Sequence, residues 1–248
     1  MTTETVWFDS NGLKIHGTLH LPDTHKPPIV VGAHGLMSDG DSPKQIALAE
    51  KLSEIGIAYF RFDHRGCGKS QGDFSEVTTF DGRCRDLLDG VTTLLDMDVT
   101  DGRIGLFGSS LGGATAIACA TQINPRAIVT VAAPIRSGAI HPPYINDTAN
   151  RPMLESLSRE SLFFDLSDRI AGISNLMLFH GDADPIVPYE NATEIYERAA
   201  APKELVRLEN GDHPMSDERH QAEFMAKTIE WYKDKLLGSK VKSKIKPI

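Results

Sequence analysis

The amino-acid sequence predicts an α/β fold, a mostly parallel central sheet with helices packed on both faces. Three observations carry that prediction. Short apolar runs alternate with helical stretches along most of the chain, which is the rhythm of βαβ units. Runs such as "PPIVVGAHG" are apolar throughout and end at glycine, as strands buried on both faces do. Residues able to do chemistry follow directly after predicted strands, and open α/β sheets bind their ligands at the strands' carboxyl ends.

Taken in order, Thr5–Asp9 and Leu13–Leu21 are β-rich and joined by the turn-forming "SNG", which predicts an antiparallel hairpin at one edge. After the strand in "PPIVVGAHG", Pro43–Ile55 has helical periodicity, with Ile46, Leu48, Ala49, Leu52 and Ile55 on one side. "IAYFRFD" (57–63) is a strand, and 78–97 is a helix whose apolar positions include Leu87, Leu88, Val91, Leu94 and Leu95. The alternation continues with strand Arg103–Phe107, helix 111–122 and strand Ala127–Ala132. It resumes with strand Leu176–Phe179, helix Tyr189–Ala199, strand Glu204–Leu208 and helix 217–236. The interruption, 136–174, has no clean strand and holds "HPPY" and "LFF"; a connection that long predicts a lid or binding loop. The basic tail 238–248 predicts a frayed, solvated end.

With 248 residues, 40% of them hydrophobic and 24% charged, the chain fits a single domain (1–248) with a full core. A net charge of −8 argues against nucleic acid as a partner, because phosphate binding needs a clustered basic surface. No apolar stretch reaches the ~18 residues of a membrane span, and "MTTETVWFDSNG" lacks a basic or apolar signal region. The expectation is a cytoplasmic protein with no membrane partner. Cys67, Cys84 and Cys119 show no C-x-x-C spacing, so they read as free thiols rather than a disulfide framework or zinc site.

Gly108-Ser109-Ser110-Leu111-Gly112 matches G-x-S-x-G centred on Ser110; centring on Ser109 would require glycine where Phe107 and Leu111 stand. On a sharp strand-to-helix turn the residues two before and two after a nucleophile approach too closely for a Cβ. The turn also aims the Leu111 N–H and the positive helix end at the same point. Alternatively the serine merely caps a helix. A serine nucleophile needs a general base held by a carboxylate. His213 lies in the loop after the last strand, and Asp182 and Asp184 compete for the acid after the strand before it. Pro185 pushes Asp184 toward extended backbone, whereas Asp182 can bond its own loop as a turn residue. The chain order Ser110, Asp184, His213 is that of a strand-elbow hydrolase. "AHGLMSDGD" places a glycine loop beside the nucleophile, where the Leu36 N–H could join Leu111 in an oxyanion hole.

Other histidines have structural explanations. His16, His20 and His25 sit in or near the hairpin, and His141 in the lid. His180 ends a strand in a buried position, and His220 in the final helix is expected to face solvent.

Four motifs, "HG" (34–35), "GSSLGG" (108–113), "HGDADPIVP" (180–188) and "GDHP" (211–214), together resemble the α/β-hydrolase family over almost the whole chain. "FRFDHRGCGKSQGDF" (60–74) is similar to a family segment, the D-x-R-G-x-G-x-S loop after a strand. Within the family the short length and small insertion resemble feruloyl (cinnamoyl) esterases. The resemblance implies Ser110 as nucleophile, His213 as base, Asp184 as orienting acid, and Leu36 and Leu111 as oxyanion donors. Serine at the elbow disfavours dehalogenase, epoxide hydrolase and dienelactone hydrolase chemistry, and the lipase-type H-G-G-G loop is absent.

The segment "DHRGCGKS" nearly reads as a phosphate-binding P-loop, but Asp63 replaces the first glycine and "QGDFSEV" is not a helix start. "GCGKSQG" is one residue off the dinucleotide fingerprint, and Cys67 within it reads as a turn residue rather than a reactive thiol. No H-x-H or H-E-x-x-H cluster calls for a metal. The expected function is hydrolysis of a small-molecule carboxylic ester without a cofactor. A thioesterase, an amide hydrolase or an acyltransferase would use the same residues, and a binding receptor could keep the fold without turnover. His141, Tyr144, Leu162, Phe163 and Phe164 could line an acyl pocket or pack within the lid.

Overall fold

The chain begins with a hairpin, β1 (Thr2–Ser10) and β2 (Leu13–Leu21), whose loop residues Asn11 and Gly12 both have positive φ. That is the type I′ turn, whose twist matches the strands it joins. Val6, Phe8 and Ser10 turn inward from β1 while Trp7 and Asp9 face out, so the hairpin covers the core with one side. In the computed structural model, residues 1–140, 157 and 160–238 are described.

Six further strands complete the sheet: β3 (Ile29–Ala33), β4 (Ala58–Phe62), β5 (Ile104–Ser109), β6 (Ala127–Val131), β7 (Leu176–Gly181) and β8 (Lys203–Leu208). The order is β1-β2-β4-β3-β5-β6-β7-β8, with β2 antiparallel to β4 and every later pair parallel. From β3 the chain crosses one way to β4 and then back past β3 to β5. The carboxyl ends of β3 and β5 therefore flank a topological switch point, where such sheets form crevices.

Helices α1 (Pro43–Glu54), α2 (Phe74–Val77), α3 (Phe80–Asp96), α4 (Leu111–Ile123), α5 (Glu190–Arg198) and α6 (Glu218–Tyr232) pack around it, and α6 ends in a π-helical turn, Lys233–Leu237. Alternate residues of each strand feed two cores. Ile29, Val31 and Phe60 meet Leu87, Val91 and Leu94 of α3, the small face of α4, and Ile195 of α5. Val30, Tyr59 and Phe107 meet Leu48 and Leu52 of α1 and Phe224 and Tyr232 of α6. Both faces are buried, which is why the central strands carry no polar alternation.

The predicted elements all form. Two expectations fail. "QGDFSEV" does start a helix, the single turn α2, because the Asp73 carboxylate caps it by accepting from the Ser75 N–H at 2.9 Å. His220 is buried, at 9% exposure, instead of facing solvent. It shares an i, i+4 stripe with Phe224, Thr228 and Tyr232, all buried, so the periodicity of α6 turns it inward.

Much of the expected lid (141–156, 158 and 159, including His141 and Tyr144) and the tail beyond residue 238 lie outside the described residues. The base of the insertion is clamped to the main core. Arg136 and Asp165 form an antiparallel bridge, Leu166 N–H donates to Ile135 O at 3.0 Å, and Phe80 N–H to Ser161 O at 2.8 Å. Phe164 stacks on Phe80 at 4.2 Å between ring centroids and Leu162 packs on the same core, whereas Phe163 is 73% exposed. No described helix is long and apolar enough to cross a membrane.

Candidate active site

A single residue, Ser110, separates β5 from α4, at φ +53° and ψ −123°. A non-glycine residue there stores about 1–3 kcal/mol of strain. Hydrogen bonds hold it: Ser110 N–H donates to Val131 O at 2.8 Å, and Ser110 O accepts from Gly113 N–H at 2.8 Å and Ala114 N–H at 3.2 Å. The flanking glycines meet the steric demand of the elbow. A Cβ on Gly108 would overlap the Gly112 carbonyl, and one on Gly112 would overlap the Ala33 carbonyl at the end of β3.

The loop after β8 brings His213 to this hydroxyl. His213 Nε2 lies 3.1 Å from Ser110 Oγ, and His213 Nδ1 lies 2.7 Å from Asp184 Oδ2. The other carboxylate oxygen, Oδ1, accepts from Ile186 N–H at 2.8 Å and Val187 N–H at 2.9 Å, which fixes the orientation of Asp184. The Asp184 side chain is fully buried and that of His213 is 17% exposed. With Nδ1–H donating to the carboxylate, Nε2 is left to accept the serine proton, so the arrangement can turn a weak nucleophile into an alkoxide-like one.

Asp182 does something else. Its Oδ1 accepts from Asn210 N–H at 2.6 Å and its Oδ2 from Arg207 Nε at 2.7 Å, so it ties the loop after β7 to the one after β8. His180 is buried as expected; its Nε2–H donates to Val187 O at 2.7 Å and sits 3.5 Å from Asp184 Oδ2. Burial pushes its pKa down, which keeps the ring neutral beside the acid.

Leu111 is the first residue of α4, where a helix offers its N–H no internal acceptor. Leu36 follows Gly35, whose Cα position lies so close to the elbow that a Cβ there would be 3.6 Å from Ser110 Cβ. The Leu36 and Leu111 N–H groups donate to no other described group. Leu111 thus adjoins Ser110 in the chain, and Leu36 adjoins the glycine that packs against the elbow.

Behind this loop lies a buried polar cluster that sequence reasoning missed. His34 Nε2 accepts from His64 N–H at 2.9 Å, so His34 carries its proton on Nδ1 and donates it to Gly35 O at 2.7 Å. Asp86 is the hub. It accepts from Arg65 Nη2 at 2.8 Å and Arg65 N–H at 2.9 Å, and lies 3.4 Å from His64 Nδ1. Against the upward push of burial, hydrogen bonds from His64 and Arg65 hold the Asp86 carboxyl down to about 2. Arg83 lies beside it, wholly buried, bonded to the His34 carbonyl. These partners are far apart in sequence, so no local motif joins them. A signal for Arg83 existed: extending the stripe Leu94, Val91, Leu87 back by one turn puts a charge on the core face of α3.

The glycine-rich loop 63–70 is held by its own carboxylate. Asp63 Oδ2 accepts from Lys69 N–H at 2.9 Å and lies 3.1 Å from His16 Nδ1, and Asp63 Oδ1 accepts from Gly40 N–H at 2.8 Å. Cys67 is buried there, and burial pushes its thiol pKa up.

The buried histidines predict how stability responds to acid. Burial, then the charge of Arg83, lowers the pKa of His64 to about 3 and holds His34 well below its usual value. The unfolded chain takes up these protons near pH 6.5 while the folded one does not, so stability is complete above about 6.5 and falls below it. Each such histidine contributes a slope of about 1.4 kcal/mol per pH unit. Urea unfolding between pH 7 and 4 should show this slope, and His64→Gln should reduce it by one proton's worth. An unchanged slope would remove His64 from the account.

A family model described as "Serine aminopeptidase, S33" matches residues 24–161. The chain is 30% identical over 193 residues to the uncharacterized protein YfhR of Escherichia coli O157:H7, covering 74% of this chain and 62% of that protein. It is 27% identical over 235 residues to the mitochondrial palmitoyl-protein thioesterase ABHD10 of Bos taurus, covering 85% of this chain and 74% of the other. Among solved structures it superposes on Est1E of Butyrivibrio proteoclasticus, a structure with bound ferulic acid. The TM-score is 0.75 at 20% identity, over 94% of this chain and 99% of that one.

Proposed function

The chain belongs to the serine aminopeptidase S33 family of α/β hydrolases, and from that footing we propose that it is a serine hydrolase that cleaves carboxylic esters through an acyl-enzyme. One observation carries the proposal: Ser110 Oγ, His213 and Asp184 form a continuous hydrogen-bonded line, at 3.1 and 2.7 Å, with the carboxylate buried. His213 draws the proton from Ser110 as its oxygen attacks the ester carbonyl, and Asp184 stabilises the imidazolium that forms. The Leu36 and Leu111 N–H groups take the negative charge that develops on the carbonyl oxygen, each worth about 3 kcal/mol in the transition state. His213 then gives its proton to the leaving alcohol. Water, activated by the same imidazole, releases the acid and restores Ser110.

Thioester hydrolysis is the second reading, favoured by the thioesterase relative; the same groups serve it, with a thiol leaving instead of an alcohol. A panel of p-nitrophenyl esters of graded acyl length, methyl ferulate and a palmitoyl thioester tests both. Turnover of at least one class is expected. A protein purified, folded and inert toward every ester and thioester would overturn the hydrolase proposal.

A further inference from the structure

Arg83 is an energetic anomaly. Among the described residues it is the largest fully buried side chain, at 0% exposure, on the core face of α3 among Phe80, Leu87 and Val91. A buried guanidinium is costly unless a carboxylate or a full set of acceptors meets it. Among the described residues no carboxylate pairs with it, because Asp86 is taken by Arg65. Its Nε and Nη1 make no hydrogen bond among the described residues, and only the neighbouring Cys67, Cys84 and Asp86 favour its charge. Burial pushes its pKa down, yet a guanidinium stays charged in proteins. The one nitrogen in use, Nη2, donates to His34 O and, at 3.4 Å, to Gly35 O.

Those two oxygens belong to the peptide units that shape the HG loop. Gly35 O is one end of the Gly35–Leu36 peptide, and the Leu36 N–H is the other. A peptide is planar, so holding the oxygen fixes the direction of the N–H. The same oxygen accepts His34 Nδ1–H at 2.7 Å, and donors at a peptide oxygen polarise its N–H into a stronger donor. The cation thus sits at the oxygen end of this peptide, opposite its N–H.

We propose that Arg83 is a positioning residue for the oxyanion site, holding and polarising the Gly35–Leu36 peptide through the His34 and Gly35 carbonyl oxygens. The inference rests on the serine-hydrolase proposal above. It explains why a cation this poorly paired is kept in the core: the charge is used in the transition state, not in the resting fold.

The test compares wild type with Arg83→Met, Arg83→Lys and Ser110→Ala. It measures kcat and KM on a p-nitrophenyl ester, thermal midpoint, and inhibition by a trifluoromethyl ketone, which adds to the serine as a tetrahedral oxyanion. Arg83→Met is expected to lower kcat about 10- to 100-fold, with KM within about 3-fold. Ketone affinity should weaken by the same factor as kcat. Arg83→Lys keeps the charge, but its side chain is one bond shorter than the one that carries Nη2 to both carbonyls, so about a 5-fold parallel loss is expected. A role confined to folding would lower the midpoint and leave kcat and ketone affinity alone, and that result overturns the inference. If Arg83→Met does not fold, Arg83→Lys decides: wild-type kcat and ketone affinity in that variant overturn it as well. Should wild type match Ser110→Ala on every substrate, the hydrolase proposal itself has failed, and this one falls with it.

Discussion

Replacing Ser110 with alanine is expected to lower kcat/KM on the best ester of the panel by about 10⁴- to 10⁶-fold. The residual rate comes from oxyanion stabilisation and binding alone. The fold should not change, since the side chain's one described bond is to His213 Nε2 and the elbow is held by backbone bonds to Val131, Gly113 and Ala114. A thermal midpoint within a few degrees of wild type, together with loss of labelling by a fluorophosphonate, identifies the effect as chemical. Ser110→Gly makes the companion case. It is equally inactive, yet it relieves the positive φ and should gain about 1 kcal/mol of stability, the trade expected where strain serves function. Undiminished ester turnover in Ser110→Ala would mean that another group is the nucleophile.

The second large effect separates two neighbouring carboxylates. Asp184→Asn is expected to reduce kcat about 10⁴-fold. An amide in that place can turn its N–H₂ toward His213 Nδ1, which selects the wrong tautomer and removes the charge that stabilises the imidazolium. Asp182→Asn should stay within about 5-fold of wild type. Its pairing with Arg207 is exposed on the arginine side, and exposed ion pairs contribute little. Its acceptor for Asn210 N–H survives in the amide. Steady-state kinetics of the pair on one substrate decides; equal losses would return Asp182 to candidacy.

Order and type of the elements were legible because strand and helix periods are local. "SNG" announced its turn, and the apolar strands announced burial on both faces. G-x-S-x-G selected Ser110 over Ser109 by sterics that operate within five residues. What lay beyond local pattern was partnership. That β4 inserts between β2 and β3 is a property of crossovers, which leave no mark on spacing. Asp182 and Asp184 look alike in a string; only the third dimension gives one to His213 and the other to Asn210 and Arg207. His220 departs from its expected solvent exposure because its i+4 relation to the buried Phe224 turns it inward. The cluster of His34, His64, Arg83 and Asp86 draws on β3, β4's loop and α3, and its charges make sense only once burial is known.

The loops that present Asp184 and His213 are joined more tightly to each other than either is to the elbow. Ala183 N–H donates to Gly211 O at 3.1 Å, Asp182 N–H to Leu208 O at 3.1 Å, and Gly181 and Gly211 touch so closely that neither has room for a Cβ. Mechanically, acid and base ride on one stiff bracket, and the serine on another. On the serine-hydrolase proposal, thermal compliance is expected to concentrate in the gap between His213 and Ser110, so that gap, and not the one between His213 and Asp184, would set how often the assembly is poised to react.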